Sequence, residues 1–314
     1  MADQQDPYRP VLVWLDDVRA TYPGLVGSKT AALAVLRAHG FAIPDGFAVT
    51  AEAYRSAVEA AGIEPALSYP IGLCPNVCAE SHFRAGLVAE AEMPAVVVEA
   101  IADSYTELGR RLGRPDPTVA VRASAVDEEA TFGPTAAALV GVAGAPNVTA
   151  AVAACWQALF NERALVTRAA LHQQFEPAMA VLVQELVSTV RSGTAYSTDP
   201  VRRRPDLVRI TATLEDDRHH PPGSVPDVYI VTRRSNELAE ISVGQKPSGP
   251  SAFRPVLSDD EAQRVAARAV RAEAVLGQPV AMEWALRRDG AVVVLEVHTM
   301  SSATSEPDRS MARF

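Results

Sequence analysis

Near the end of the chain, residues 280–286 and 291–297 are two apolar runs, each broken by one glutamate and read as alternating about it, on either side of Asp289-Gly290. Period-two alternation marks a strand with one buried face, and an Asp-Gly step between two such strands is a strong hairpin signal. Whatever else the chain does, it must accommodate an antiparallel pair here. A two-residue turn centred on Asp289-Gly290 sets Glu283 directly opposite Glu296 and puts His298 on the same face as Glu296. Met282, Trp284, Leu295 and Val297 then form the apolar face. Like charges directly opposite one another destabilise a hairpin. The residues alone leave two readings open. Either a divalent cation sits between the carboxylates, a role suited to Mg²⁺, which takes few carboxylates and completes its shell with phosphate oxygens. Or the pair is a solvated edge on which both glutamates coexist at small cost.

Elsewhere the patterning predicts strands at 11–14, 47–50, 119–122, 180–186, 193–198, 228–232 and 238–243. It predicts helices at 30–38, 51–61 and 148–170, and one from the cap Ser258-Asp259-Asp260-Glu261 to about residue 276. Residues 85–108 read as mostly helical, interrupted near Pro94 and stopped at Gly109. Short strands interleaved with helices predict an α/β (α+β) fold with mixed or antiparallel sheets flanked by helices. Three lobes are expected, at residues 1–118, 119–200 and 201–314.

The formal net charge of −9 argues against a nucleic-acid binder, which needs a basic surface, and against docking on an anionic membrane. No apolar run reaches the roughly 18 residues of a spanning helix. The polar start, residues 1–10, lacks the order of a signal peptide, and three cysteines make no paired framework, so the expected compartment is the cytoplasm. Only two of the 29 basic residues are lysines, Lys29 and Lys246. In so arginine-biased a chain a remaining lysine is a candidate for a specific task, because a compact ammonium fits between phosphates where a planar guanidinium does not. Lys29 follows Gly27-Ser28 at the opening of a helix; the motif is not a Walker A, and the residues alone read either as a structural turn or as a phosphate site. Arg122 ends an apolar strand and calls for an anionic partner, structural or a phosphate. Cys74, Cys78 and His82 are spaced for one helix face, but no fourth zinc ligand is evident and Pro75 interrupts the helix.

Taken together, these segments resemble the ATP-binding domain of the family of pyruvate phosphate dikinase, phosphoenolpyruvate synthase and rifampicin phosphotransferase. Val26-Gly27-Ser28-Lys29 with Leu33 is similar to that family's glycine-lysine loop, and Pro44-Asp45-Gly46-Phe47-Ala48-Val49-Thr50 to its Pro-x-Gly-Phe-x-Val-Thr segment. Val119-Ala120-Val121-Arg122-Ala123-Ser124 resembles Val-Ala-Val-Arg-Ser-Ser. The Met-Ala-Val strand ending in Gln184, the Asp199-Pro200 step, Pro226-Asp227-Val228-Tyr229 and Glu283-Trp284 follow in the same order. The resemblance implies an ATP-grasp-like fold that binds ATP with Mg²⁺ between lobes, Lys29 and Arg122 on one and Gln184, Glu283 and Glu296 on the other. By this likeness Lys29 and Arg122 contact phosphates and do the catalytic work, Gln184, Glu215 and His298 lie at the nucleotide, and Glu283 and Glu296 hold the metal.

The departures from the family pattern bear on activity. The loop that covers the phosphates reads Thr131-Phe132-Gly133-Pro134-Thr135, with a proline that removes an N–H donor. Glu296 stands where relatives carry glutamine, and His298 where they carry arginine. Relatives also continue into a histidine-bearing domain. The expectation is therefore a stand-alone phosphotransfer domain that activates a phosphoryl or pyrophosphoryl group for a histidine on a separate phosphohistidine-domain or substrate-domain protein, or for a small-molecule acceptor. The alternative is a degenerate, non-catalytic relative serving as a binding or scaffolding subunit.

Overall fold

The structure, a computed structural model, describes residues 10–68, 76–126, 138–170, 178–214, 225–244 and 254–300. It divides into two units, Met1–Ala34 with Asp45–Leu186 and Val35–Pro44 with Val187–Phe314.

The first unit is built on strands β1 (Leu12–Trp14), β2 (Gly46–Val49), β3 (Val119–Ala125), β4 (Leu139–Val142) and β5 (Met179–Glu185). They form a five-stranded sheet in the order β1-β2-β5-β3-β4, every pair antiparallel. Successive side chains on a strand point to opposite faces. Phe47, Val49, Val119, Val121, Ala123, Val181 and Val183 therefore share a face, and all are buried in one core. Helices supply the other side of that core. Short α1 (Pro23–Val26) leads into α2 (Ser28–Ala38), neither of which contributes to that core, and α3 (Ala51–Ala61), the first helix that does, follows β2. Thr50 starts α3 by accepting the Ala53 N–H on its side chain. After α4 (Glu64–Leu67) come α5 (Val77–Glu90), α6 (Ala95–Leu112), α7 (Ala145–Ala158) and α8 (Glu162–Ala170). Tyr54 of α3 meets Trp156 of α7 edge to face at 5.7 Å, a pairing that adds about 0.5–1.5 kcal/mol beyond area burial.

Two helical expectations need correction. Residues 148–170 are two helices, because the Asn161 side chain accepts the Ala164 N–H at 2.8 Å and so starts α8. The buried Arg168 guanidinium takes the Leu159 carbonyl that the break exposes, and burial lowers its pKa to about 10. The helix expected to stop at Gly109 runs on to Gly113, whose N–H caps the Arg110 carbonyl. Gly109 is there for packing instead: a Cβ would lie 2.6 Å from the Arg114 carbonyl oxygen.

The second unit holds β6 (Arg191–Tyr196), β7 (Leu207–Leu214), β8 (Asp227–Thr232), β9 (Leu238–Ser242), β10 (Val280–Leu286) and β11 (Val292–Thr299). These make a six-stranded sheet in the order β11-β10-β6-β7-β8-β9, again antiparallel throughout. Helix α9 (Asp259–Leu276) packs on it through Ala262, Val265, Ala266, Ala269 and Ala272, all fully buried. The small side chains let the helix lie close over Trp284, which is also fully buried. The expected cap is in place, since Ser258 Oγ accepts the Glu261 N–H and Glu261 accepts the Ser258 N–H. Asp227 and Tyr229, the Pro-Asp-x-Tyr segment, hold the approach to this helix. Asp227 accepts the Val256 N–H at 2.6 Å and the Gly244 N–H at 2.8 Å, and the Tyr229 hydroxyl accepts the Leu257 N–H at 2.7 Å. Burial pushes the Tyr229 phenol up to about 12.

The antiparallel sheets with flanking helices match the expected α+β class. Strand β7 was not anticipated, although Val208, Ile210 and Ala212 alternate inward in it.

The hairpin holds a second difference. Leu286 pairs with Val292, and the Arg287 N–H donates to the Ala291 carbonyl, so the loop is the three residues Arg288, Asp289 and Gly290. Gly290 has φ 81°, the left-handed residue of a three-residue turn; a two-residue type I′ turn would need positive φ at Asp289 as well. A register shift between Glu283 and Trp284 then takes up the extra residue at Leu295. The pairing of Glu283 with Glu296 survives. The loop is one residue longer than the spacing predicts, and the bulge offsets it.

Candidate functional site

In the first unit the face of the sheet away from the core carries the polar groups. Ala120, Arg122 and Ser124 of β3 alternate onto it, and their partners across β5 are Gln184, Leu182 and Ala180. Gln184 pairs on its other side with Gly46. It is 2% exposed, and Ser124 is 1% exposed. Gln184 thus belongs to the same sheet as Arg122, two strand positions away along the face. Its expected place on the lobe of Glu283 and Glu296 is corrected by the pairing of β5 with β2 and β3.

Lys29 reaches this region through the start of α2. Gly27 ends α1 and opens α2, with φ 78° and ψ 161°. That backbone region is essentially closed to side chains. An added Cβ would also lie 2.1 Å from the Ser124 carbonyl oxygen. The loop therefore touches β3 through bare backbone. The Thr30 N–H, one of the first-turn donors that a helix cannot satisfy internally, donates to Ser124 Oγ at 3.1 Å. Ser28 Oγ donates to the Val126 carbonyl at 3.4 Å. Lys29 itself is 9% exposed. Lys29 in the first turn of α2 and Arg122 on the strand to which that turn is bonded are cationic residue types on joined elements, and a helix N-terminus itself favours anions.

In the second unit the face opposite α9 is polar. Ser192, Thr194 and Tyr196 of β6 alternate onto it, with Arg209, Thr211 and Thr213 of β7 beside them. Thr211 Oγ1 accepts the Thr194 N–H at 3.2 Å. Glu283 pairs with Thr194 on one side and Glu296 on the other. His298 Nε2 lies 2.9 Å from Glu296 Oε1. Among the described residues no group of three histidine, cysteine or acidic side chains is arranged to hold a metal ion. Two facing carboxylates remain a fit for Mg²⁺, which draws the rest of its shell from water and phosphate.

The sequence-derived site residues therefore fall into two sets: Lys29, Arg122 and Gln184 in the first unit, and Glu283, Glu296 and His298 in the second. Glu215, Pro134 with its loop, Cys74 and Lys246 lie outside the described residues. Cys78 is exposed, and a hydrogen bond to Glu162 raises its pKa, which disfavours the thiolate that zinc needs. Ser124 and the threonines of β6 and β7 were missed as members of these polar faces. Period two was the available signal for Ser124, which stands two residues after Arg122.

Among the described residues no helix is long and apolar enough to cross a membrane. A family model described as the pyruvate phosphate dikinase AMP/ATP-binding domain matches residues 23–313. A probable phosphoenolpyruvate synthase of Methanocaldococcus jannaschii is 30% identical, over 88% of this chain and 26% of its own. A phosphoenolpyruvate synthase of Aeropyrum pernix is 32% identical, over 76% of this chain and 30% of its own. The chain thus spans less than a third of the length of either relative. The solved structure of the ATP-grasp ligase PsnB with precursor peptide PsnA2 and AMPPNP is similar at a TM-score of 0.34 and 15% identity, covering 95% of this chain and 56% of that one. With the family's pattern running through almost all of the sequence, from the lysine loop to the Glu283–Glu296 hairpin, the chain belongs to the pyruvate phosphate dikinase AMP/ATP-binding domain family.

Proposed function

We propose that this ATP-binding domain takes ATP with Mg²⁺ in the cytoplasm and readies a phosphoryl or pyrophosphoryl group for transfer. The acceptor is a histidine on a separate protein or a small molecule. Lys29 and Arg122 hold the phosphates and neutralise the charge that develops in transfer, Gln184 contacts the nucleotide, and Glu283 and Glu296 hold the cation. The metal, when bound, neutralises phosphate oxygens; the protein contributes position and charge, which is most of what phosphoryl transfer asks of it. One observation carries the reading: the start of α2, with its lysine, is fastened to the strand of Arg122 by the Thr30–Ser124 hydrogen bond.

A second reading has its own observation. Glu296 and His298 stand where the family has glutamine and arginine, and they engage each other at 2.9 Å. A carboxylate paired with an imidazole in place of a fixed positive charge favours a domain that binds nucleotide without transferring phosphate. Calorimetry with ATP and ADP, with and without Mg²⁺, followed by assay of γ- and β-phosphate release, separates the two. Mg²⁺-dependent binding with release supports transfer. Binding without release supports the second reading, and no heat with either nucleotide overturns both.

A further inference from the structure

We propose that Ser124 is a positioning residue that sets Lys29 against Arg122 and thereby makes one anion site of two elements distant in sequence. The inference rests on the nucleotide reading above and deepens it.

Locally the lysine loop is held by backbone hydrogen bonds, from the Gly27 N–H to the Pro23 carbonyl and from the Ala31 N–H to the Gly27 carbonyl, but neither of these ties it to the strand of Arg122. At its start stands Gly27, in a backbone region essentially closed to other residues and pressed on Ser124 with no side chain between. In the turn that follows, the Thr30 N–H is satisfied by the hydroxyl of Ser124, a residue 94 positions away. Helices normally take such a cap from the residue just before their first turn. Here the cap comes from the strand that carries Arg122. Ser124 is two residues from Arg122 on the same face of β3 and is 1% exposed, so its hydroxyl serves the helix start and not the solvent. One side chain thus fixes the helix end that presents Lys29 and, through a rigid strand, the distance to Arg122. Buried hydrogen bonds to helix termini are directional, and a small misplacement of a charged group at a phosphate costs much of its effect. Ser124 acts through Lys29 and need not touch the nucleotide.

The test is a double-mutant cycle on the full chain, read by calorimetric ATP affinity and by amide hydrogen exchange at Thr30. Ser124→Ala is expected to weaken ATP binding about five- to tenfold and to speed exchange at Thr30. In a Lys29→Ala background the same substitution is expected to change ATP affinity less than twofold. Should Ser124→Ala not fold, Ser124→Cys, which puts a weaker acceptor in the same place, is expected to give an intermediate loss with the same dependence on Lys29. Equal losses in both backgrounds, or none in either, overturn the proposal. If the wild type does not bind ATP, the nucleotide reading fails. Unchanged exchange at Thr30 in Ser124→Ala overturns the positioning role whether or not ATP binds.

Discussion

The two sheets solve the same problem by opposite means. Each is antiparallel, each buries one face under helices, and each leaves a polar face. In the first unit that polar face is made by tertiary contacts: Gly27, Thr30 and Ser124 come from separate elements, and Lys29, Ser124 and Gln184 are all nearly buried. In the second it is made by register alone. Glu296, Glu283, Thr194 and Thr211 stand in a row because neighbouring strands pair that way. A face made by packing is intolerant of small changes at its joints. A face made by register is rigid in backbone, and its side chains can be exchanged at little cost to the fold. The largest expected effects therefore belong to the first unit and the smallest to the second.

The joint at Gly27 is the sharpest place to break this contrast. Gly27→Ala must leave a backbone region reserved for glycine and move a Cβ away from the Ser124 carbonyl, 2.1 Å from where it would sit. We expect a loss of about 2–3 kcal/mol in stability and ATP affinity reduced by more than tenfold, seen by thermal melting and calorimetry. A variant as stable as the wild type would show that the loop does not depend on its contact with β3. Next come the cations. Lys29→Ala and Arg122→Ala should each weaken ATP binding by about 1.5–3 kcal/mol, the range of charge-assisted hydrogen bonds, with little change in melting. Full-strength binding by both variants would move the nucleotide elsewhere.

This contrast also governs how much was legible in the sequence. Glu283 and Glu296 were matched without any structure because a hairpin converts spacing into contact, and the pairing held even though the turn is longer and a bulge compensates. The capping box at Ser258 was legible for the same reason: its two partners are three residues apart. Ser124 and Thr30 are 94 residues apart, and no local rule connects them. Gln184 was recognisable by its segment, yet its sheet was not, because strand order β1-β2-β5-β3-β4 is set by long-range pairing. Strand β7 alternates well enough to have been found, with Val208, Ile210 and Ala212 inward, and the outward Arg209, Thr211 and Thr213 obscured it. Gly109 was read as a stop because glycine so often ends helices, whereas here it makes room for the chain crossing at Arg114.

Inside the second unit, the anchor at Asp227 and Tyr229 is built like the first, by contacts distant in sequence, and it should be correspondingly sensitive. Tyr229→Phe removes a hydroxyl that accepts the Leu257 N–H and is itself fully buried, for an expected loss of about 1–2 kcal/mol. The pH dependence has a definite sign. Burial raises the folded-state pKa of Tyr229 from about 10 to about 12, so the phenol stabilises the fold below pH 10 and that contribution is lost as pH rises toward 12. Wild-type melting temperature should fall over this window more than that of Tyr229→Phe. Equal slopes would mean that the hydroxyl ionises in the folded state as freely as in the unfolded one.

The smallest effect is the most informative about the metal. Glu283 and Glu296 sit opposite one another in the sheet, and Glu296 is 7% exposed with His298 beside it. Removing one charge has two consequences of opposite sign for a metal site. Without metal, Glu296→Gln relieves repulsion between facing carboxylates but gives up the contact with His298, so the fold should change by no more than about 1 kcal/mol in either direction. Its effect on ATP should depend on the cation. Without Mg²⁺ binding should tighten, because one negative charge near the phosphates is gone. Glu283→Gln should instead lower the Mg²⁺-dependent part of the affinity, since it removes a ligand that has no substitute in the row of Thr194 and Thr211. The expected signature is a crossing pattern, one variant better without the cation and the other worse with it, read by calorimetry at fixed ionic strength. Parallel changes in both variants would instead report a general electrostatic field. No change in either would make the pair a solvated edge, and binding without transfer would then be the better account of the domain.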